Sequence, residues 1–411
     1  MTAIALLDVA HYPHLVADTL LSAAGPDPSS RKELWLPALG HVRSEWRDAA
    51  GPFHLSRLAR KTFVLPNCGG MVAFAGNCTV AFAFWAQLSE IIKRNACFDP
   101  GYRVEAHTLR SALTALGAQA DAISLLGVLV DAQRTCTPFV HGIHREVITD
   151  HFGTCFIAGS GMAMVERMIN AADHALSRTG WPARAPLTPC EDLAEGISAE
   201  MLFREGFTDN GTSPESPIAL GCGGFYEWYA ATANGVRALQ PRLDLHVRAS
   251  RDGLVFDRIY FAEQHELIDP MQLGVPSQRY FLLVMNLILE PLPLDRAAAS
   301  RPGYALRSGE SWLTMLESAF IDYDRTPDQR TQRMDGPLDA ELLQHLFAQP
   351  LALHRVRLML LIDREDGCIA DRLVRPDTGP ALATLRAEGG ALVVDLDARL
   401  TEKIARRVWA D

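Results

Sequence analysis

The chain predicts an α+β fold in which antiparallel sheets are covered by helices, and three observations carry that reading. Short apolar runs broken by turn residues open the sequence and read as hairpins. An amphipathic segment of helical period follows them directly. Strands and helices then arrive in blocks, whereas a parallel sheet would alternate strand with helix throughout.

Taken in order, Thr2 to Asp8 forms an apolar strand, and the Ala10-His11-Tyr12-Pro13 turn returns the chain into a second strand over 14–19 that ends near Asp18. Between about 22 and 54, Pro26, Pro28 and Pro37 argue against one regular helix, while Trp35 and Trp46 argue against mere disorder. Leu58 to Leu65, a Gly69-Gly70 turn and Met71 to Gly76 make a second hairpin, after which Asn77 caps a helix over 77–95. That helix turns Phe84, Leu88, Ile91 and Ile92 inward and sets Lys93 and Arg94 near its end, where cations suit the dipole. A further helix is expected over about 103–117, strands over 123–130 and 139–143, and a helix over 162–176 with Val165, Met168, Ile169 and Ala172 on one face.

From about Gln240 the character changes, which divides the chain into 1–240 and an accessory α/β region, 241–411. Leu243, Leu245 and Val247 alternate with polar residues, and Arg251-Asp252-Gly253 turns back into 254–261, giving a hairpin. Helices are expected over 278–290, stopped by Pro291 and Pro293, and over about 310–320. The stretch 324–336 is the linker candidate, and 356–362 with 368–374 reads as a hairpin. This second region is either a separate domain or a set of strands extending the first sheet.

Composition excludes several function classes. With 411 residues and 48% hydrophobic content the chain can build two sizeable cores. A net charge of −10 with no basic block argues against nucleic acid or an anionic membrane as a main partner. The eight cysteines are scattered, so reduced thiols in the cytoplasm are the simplest reading. The start of the chain lacks the basic end of a signal peptide, and no apolar run reaches membrane-spanning length. His141 and His144, three apart, point to opposite faces of a strand, and Asp363 to Gly367 lacks the ligand spacing of a calcium loop. No metal and no cofactor are expected.

Chemistry enters at residue 2. Methionine aminopeptidases act when the next side chain is small, so the mature chain is expected to begin at Thr2. An N-terminal threonine joins a hydroxyl to a free amine, which is a nucleophile with its own base. An α-amine titrates at about 8 and a lysine at about 10.4. A lysine beside the amine disfavours its protonation, and a carboxylate beside the lysine keeps that lysine charged and in place. Lys61 and Asp18 are the candidates for these roles, with Ser160 as a partner of the amine and the backbone N–H of Ala73 or a neighbour as the oxyanion donor. Each residue also has a local reading. Asp18 suits a strand-end turn, Lys61 a solvated basic run with Arg57 and Arg60, and Ser160 a tight turn between glycines.

Order and spacing carry more than any one of these residues. Thr2, Asp18 sixteen positions later, Ala59-Arg60-Lys61, and Val72-Ala73-Phe74-Ala75-Gly76 entering a helix form one series. Phe156-Ile157-Ala158-Gly159-Ser160-Gly161 and the hairpin from Gly223-Gly224 through Gly235 continue it. Over roughly residues 2 to 240 this series resembles the proteasome β-subunit family, closest in texture to the bacterial heat-shock proteasome-like peptidase. Three departures are visible. Ala73 stands where the family usually has glycine, Cys222 stands where many members have serine with an aspartate nearby, and the segment of about 22–54 is inserted between Asp18 and Lys61.

The resemblance implies a four-layer αββα N-terminal nucleophile hydrolase sandwich. It implies a threonine peptidase cleaving peptide or amide bonds through Thr2, with Asp18, Lys61 and Ser160 in support and Ala73 at the oxyanion. It also implies a homo-oligomeric ring, with an ATP-dependent unfoldase or other regulator as a partner. Two other readings stay open: an inactive scaffold or sensor of the same fold, and a small-molecule amidohydrolase using the same threonine.

Overall fold

The computed structural model describes residues 2–28, 32–36, 39–48, 51–180, 190–207, 216–232, 234–239, 243–250, 253–269, 277–289, 293–294, 304–319, 331–337, 339–364, 367–374, 379–400 and 402. They form a mixed α+β structure. The chain divides into two compact units, one of 1–240 with 266–280 and 317–332, the other of 241–265, 281–316 and 333–411.

The first unit begins with strands β1 (Ile4–Leu7), β2 (His14–Asp18) and β3 (Leu20–Ala24). Next come β4 (Glu33–Leu36), β5 (Gly40–Arg43), β6 (Glu45–Asp48), β7 (Gly51–Leu58), β8 (Thr62–Leu65) and β9 (Gly70–Gly76). Helices α1 (Cys78–Phe98) and α2 (Ala106–Ala115) precede β10 (Ile123–Val130), β11 (Cys136–His141), β12 (Arg145–Thr149) and β13 (Gly153–Ala158). Helices α3 (Met162–Arg178) and α4 (Cys190–Phe207) then lead to β14 (Tyr226–Thr232) and β15 (Gly235–Ala238).

Two antiparallel sheets organise these elements, one in the order β12-β13-β1-β2-β14-β15 and one in the order β11-β10-β9-β8. Period-two alternation gives each strand of the second sheet two apolar faces. Met71, Ala73, Ala75, Leu126 and Val128 meet Ile4, Leu6, Leu15 and Ala17 of the first sheet. Phe63, Val72, Phe74 and Leu125 point the other way, onto Phe84, Trp85, Leu88, Leu109 and Leu113 of α1 and α2. All eight residues of β10 are buried, which is why its sequence is apolar apart from Ser124, whose hydroxyl donates to Ile143 O at 2.7 Å. Helix α3 packs on β12 and β13, and α4 on β2 and β14.

Asn77 caps α1 as expected, its side chain accepting from the Val80 N–H at 3.2 Å. The helix continues to Phe98, so Lys93 and Arg94 lie inside it and do not occupy its last turn. Its buried face includes Phe84, Leu88 and Ile92, with Ile91 half-buried. In α3 the buried residues are Met164, Val165 and Ile169, so Met168 and Ala172 sit at the edge of the expected face. Helix α4 had no sequence expectation. It buries Leu193, Ala194, Glu195, Ile197, Ser198, Met201, Leu202 and Glu205, and a helix covered on several faces shows no single apolar stripe.

The segment that follows Asp18 is, in its described residues, neither helix nor featureless loop. It forms a three-stranded sheet, β3-β7-β6, and a separate β4-β5 hairpin. Leu34, Leu36, Trp46, Phe53 and Leu55 are buried in it.

Beyond residue 240, strands β16 (Leu243–Ser250), β17 (Gly253–Asp269), β18 (Ser277–Leu289), β19 (Pro293–Leu294), β20 (Tyr304–Ala319) and β21 (Thr331–Pro337) come first, with 266–269, 277–280, 317–319 and 331–332 of them assigned to the first unit and the rest to the second. They are followed by α5 (Ala340–Leu346), β22 (Leu351–Leu353), β23 (Val356–Arg364), β24 (Gly367–Val374), β25 (Ala383–Glu388) and β26 (Ala391–Leu396). The sheet order is β22-β25-β26-β20-β18-β17-β16-β23-β24, with β19 on β17 and β21 on β20. The hairpins expected at 243–261 and 356–374 are present.

Three expectations are corrected here. Of 278–290 and 310–320, expected as helices, residues 278–289 and 310–319 lie within β18 and β20, and 290 and 320 lie outside the described residues. Each of those strands sits between two neighbours; the apolar run of 278–290 suits a central strand as well as a buried helix, while the amphipathic helical spacing of 310–320 is overridden by pairing in the sheet. Part of the expected linker, 331–336, is paired as β21, while 320–330 lies outside the described residues. The expected α/β character is also overturned, since the described residues of this unit are mainly strand with the short α5. Asp244 and Arg357 face each other across the parallel pair β16-β23, with Arg357 Nη2 donating to Asp244 Oδ2 at 2.8 Å. Burial pushes the Asp244 carboxyl above the usual carboxylate range, against the pull of Arg357. Among the described residues, no helix is long and apolar enough to cross a membrane.

Candidate active site

The β1-β2 hairpin places Thr2 and Asp18 at the same end of the first sheet. Ile4 pairs with Ala17, which sets Asp18 opposite Ala3, and the Asp18 N–H donates to Ala3 O at 3.1 Å. In return the Ala3 N–H donates to Asp18 Oδ1 at 2.8 Å, while the Gly223 N–H donates to Oδ2 at 2.9 Å. The aspartate is therefore oriented by two backbone groups before any cation is considered.

Lys61 arrives from the second sheet, in the short connection between β7 and β8. Although 43 positions separate it from Asp18, the base of the inserted segment closes as an antiparallel pair, Leu20 opposite Leu58. The Ala59 N–H adds a bond to Thr19 O at 2.8 Å. The lysine Nζ then donates to Thr2 Oγ1 at 2.9 Å, Asp18 Oδ1 at 2.8 Å and Leu20 O at 2.6 Å. An ammonium has three donors, and these acceptors match them. Thr2 is 1% exposed, and Asp18 and Lys61 are at 0%.

Ser160 lies in the turn from β13 to α3. Its Oγ accepts from the Thr2 N–H at 3.1 Å and donates to Leu220 O at 2.6 Å, and the Gly161 N–H donates to Thr2 O at 3.1 Å. The turn can approach so closely because Gly159 has φ of +94° and a Cβ there would sit 2.0 Å from Thr2 O. Thr2, Asp18, Lys61 and Ser160 are thus brought together around one hydroxyl.

Ala73 is not part of that convergence. It lies inside β9 rather than at the junction with α1, and its side chain belongs to the core between the sheets. The Phe74 N–H donates to Lys61 O at 3.1 Å, on the β8 side, and the Asn77 N–H donates to Ala122 O at 2.9 Å, on the β10 side. Alternation along the strand therefore turns the Ala73 N–H toward β10, where Ala73 pairs with Leu126. The Gly76 N–H, two residues beyond that of Phe74, shares its direction, and Gly76 is exposed.

Two buried carboxylates went unnoticed in the sequence. Glu205 of α4 accepts from the Gly224 N–H at 2.9 Å and Tyr226 OH at 3.2 Å, supporting the turn whose Gly223 holds Asp18. Burial, and then Glu205, push the Tyr226 phenol well above its ordinary range. Glu227 of β14 faces Arg60, one residue from Lys61. The available signal was a charged residue inside an apolar strand, Phe225-Tyr226-Glu227-Trp228, which needs a partner once buried.

Cys222 is fully buried, and its thiol donates to Pro217 O at 3.3 Å. Burial, then Asp18, push that thiol well above its usual range, and burial pushes Cys155 up to about 11. Iodoacetamide at pH 8 is therefore expected to alkylate Cys68 and Cys97, which are exposed, and to spare Cys155, Cys190 and Cys222 in the native chain. Peptide mapping by mass spectrometry reads this directly. Early alkylation of Cys222 would contradict the buried turn that carries Gly223.

The histidines considered for a metal are otherwise occupied. Nitrogens of His141 and His144 lie at 3.1 Å from Ala120 O and 2.8 Å from Gly142 O, and His151 Nδ1 lies 2.8 Å from Asp173 Oδ1. Among the described residues no cluster of three or more His, Cys, Asp or Glu side chains is placed to hold a metal. Comparison with protein-family models and with curated proteins finds no match to this chain.

Proposed function

We propose that the chain is a threonine-type N-terminal nucleophile hydrolase of peptide or amide bonds, with its first unit arranged as a four-layer αββα sandwich. The observation that carries the reading is Lys61 Nζ, buried and 2.9 Å from Thr2 Oγ1 while 2.8 Å from Asp18 Oδ1. Few structural needs call for a lysine at that place, since a buried ammonium is costly unless fully bonded.

Once Met1 is removed, the Thr2 nitrogen becomes an amine. Thr2 Oγ attacks the substrate carbonyl carbon, and its proton passes to that amine, directly or through a water. Collapse of the tetrahedral adduct breaks the C–N bond, with the proton going to the departing amine and an ester left on Thr2. Water then cleaves the ester to release a carboxylic acid. Proton transfer by a positioned group contributes about 10²–10⁴ in rate. Ser160 Oγ, at 3.1 Å from the Thr2 nitrogen, orients that base. The oxyanion is held by the N–H of Gly76 in place of that of Ala73, because the Gly76 N–H points away from β10 at the exposed end of β9.

Intact mass of the native protein should show Met1 absent. Thr2→Ala should abolish peptide turnover and covalent labelling by a threonine-directed epoxyketone. Retention of Met1 would sink the hydrolase reading, because the base would be locked in a peptide bond. Cellular function preserved in Thr2→Ala would favour the scaffold alternative.

A further inference from the structure

A second buried ion pair lies beside Lys61, and the proposed chemistry does not use it. Glu227, on the first sheet, extends its carboxylate to the connection between β7 and β8. Its Oε1 accepts from Arg60 Nε at 2.7 Å and Tyr229 OH at 3.2 Å. Its Oε2 accepts from the backbone N–H groups of Lys61 and Thr62, both at 3.2 Å. Arg60 also donates to Tyr229 OH, and Arg60, Glu227 and Tyr229 are each 1% exposed.

From this geometry we infer that Glu227 is a positioning residue for Lys61, acting through the backbone from which the lysine side chain departs. The inference rests on the hydrolase reading for its catalytic consequence and on geometry for its structural one. Residues 59–61 belong to no strand, and β8 begins only at Thr62. The backbone that carries Lys61 is anchored before it by the Ala59 N–H bond to Thr19 O, and at the lysine itself by the Phe74 N–H bond to Lys61 O on one side and by Glu227 on the other.

Asp18, Leu20 and Thr2 fix the ammonium, yet a four-carbon stem lets the head stay bonded while its base drifts. Glu227 removes that freedom. Misplacement by about 1 Å at a distance from the reacting atoms can cost about 10²-fold in rate.

Stability alone does not account for the pair. Replacing a buried ion pair by apolar residues of similar volume is often neutral or stabilising. What an apolar pair cannot do is accept the N–H groups of residues 61 and 62. That capacity separates placement from mere packing.

The test uses the full chain with two double variants, so that no buried charge is left unpaired. Arg60→Met with Glu227→Leu removes both the pair and the acceptor. Arg60→Met with Glu227→Gln removes the charges but keeps a carbonyl oxygen for the two N–H groups. The first leaves the Lys61 and Thr62 N–H groups without their acceptor, so it is expected to melt below the parent while still folding, and to be labelled at Thr2 by an epoxyketone about 10²-fold more slowly, with kcat lowered and KM unchanged. In its crystal structure Lys61 Nζ should have left hydrogen-bond range of Thr2 Oγ1. The second is expected to recover labelling to within a few-fold of the parent.

A folded first variant with the Lys61–Thr2 contact and labelling rate intact overturns the inference. If the first does not fold, a folded second variant with slow labelling overturns it equally, since charge and not N–H acceptance would then matter. Absence of labelling in the parent itself sinks the hydrolase reading, and the Nζ–Oγ1 separation in the variant structures still decides the positioning role.

Discussion

Lys61→Met is expected to abolish epoxyketone labelling of Thr2 and to destabilise the chain by about 3–5 kcal/mol. The two losses have one origin. Lys61 Nζ is bonded to Thr2 Oγ1, Asp18 Oδ1 and Leu20 O, and all four residues are buried. Methionine keeps the volume of the stem but leaves Asp18 with the N–H groups of Ala3 and Gly223 and without its cation. A carboxylate in that position must bear its desolvation with backbone dipoles alone. Urea denaturation of parent and variant, with labelling followed by intact mass, reads both quantities. Adding Asp18→Asn should return much of the stability and none of the labelling. An unchanged denaturation midpoint in Lys61→Met would show that the buried pair does not carry the weight assigned to it.

Gly159→Ala is the second substitution with a large expected effect. The position combines φ of +94° with a Cβ that would stand 2.0 Å from Thr2 O, so either the turn or the start of β1 must move. Movement there breaks the Gly161 N–H bond to Thr2 O and displaces Ser160 from the Thr2 nitrogen. Backbone strain of this kind costs on the order of 1–3 kcal/mol, and the displaced nucleophile should lose at least about 10²-fold in labelling rate. Gly153→Ala is the matched control, because φ there is +63° with nothing within 4 Å of the added methyl. It should cost about 1–2 kcal/mol for conformation and leave labelling unchanged. Equal labelling losses in the two variants would show that general destabilisation, and not the contact with Thr2, is responsible.

Most of the first unit was legible because its signals are local. The Asn77 cap, the Gly-Ser-Gly turn and the apolar run of β10 each report a structure that nearby residues enforce. Four of the five residues named for the site converge: Thr2 and Asp18 through the register of the β1-β2 hairpin, Lys61 through the bonds that hold the connection between β7 and β8, and Ser160 through the tight turn after β13. Ala73 did not, because the direction of one N–H depends on pairing with β8 and β10, and a one-residue change reverses it. Glu205 escaped because its helix, buried on several faces, shows no single apolar stripe, and Glu227 because its partner Arg60 lies 167 positions away. Strands β18 and β20 mislead for two different reasons: 278–290 is an apolar run without a period, and 310–320 carries an amphipathic helical period that pairing with neighbouring strands overrides.

The β3-β7 pair at the base of the inserted segment has a consequence for kinship as well as for geometry. Leu20 against Leu58 works like a splice, rejoining Asp18 to Lys61 whatever the length of chain between them. Everything outward of that splice is at liberty to lengthen, shorten or change character over generations while the two charged groups keep their embrace. Distance counted along such a chain is then a poor ruler of descent. Two proteins sharing this pocket could differ by dozens of residues between the same two side chains, and a comparison that penalises gaps would separate them.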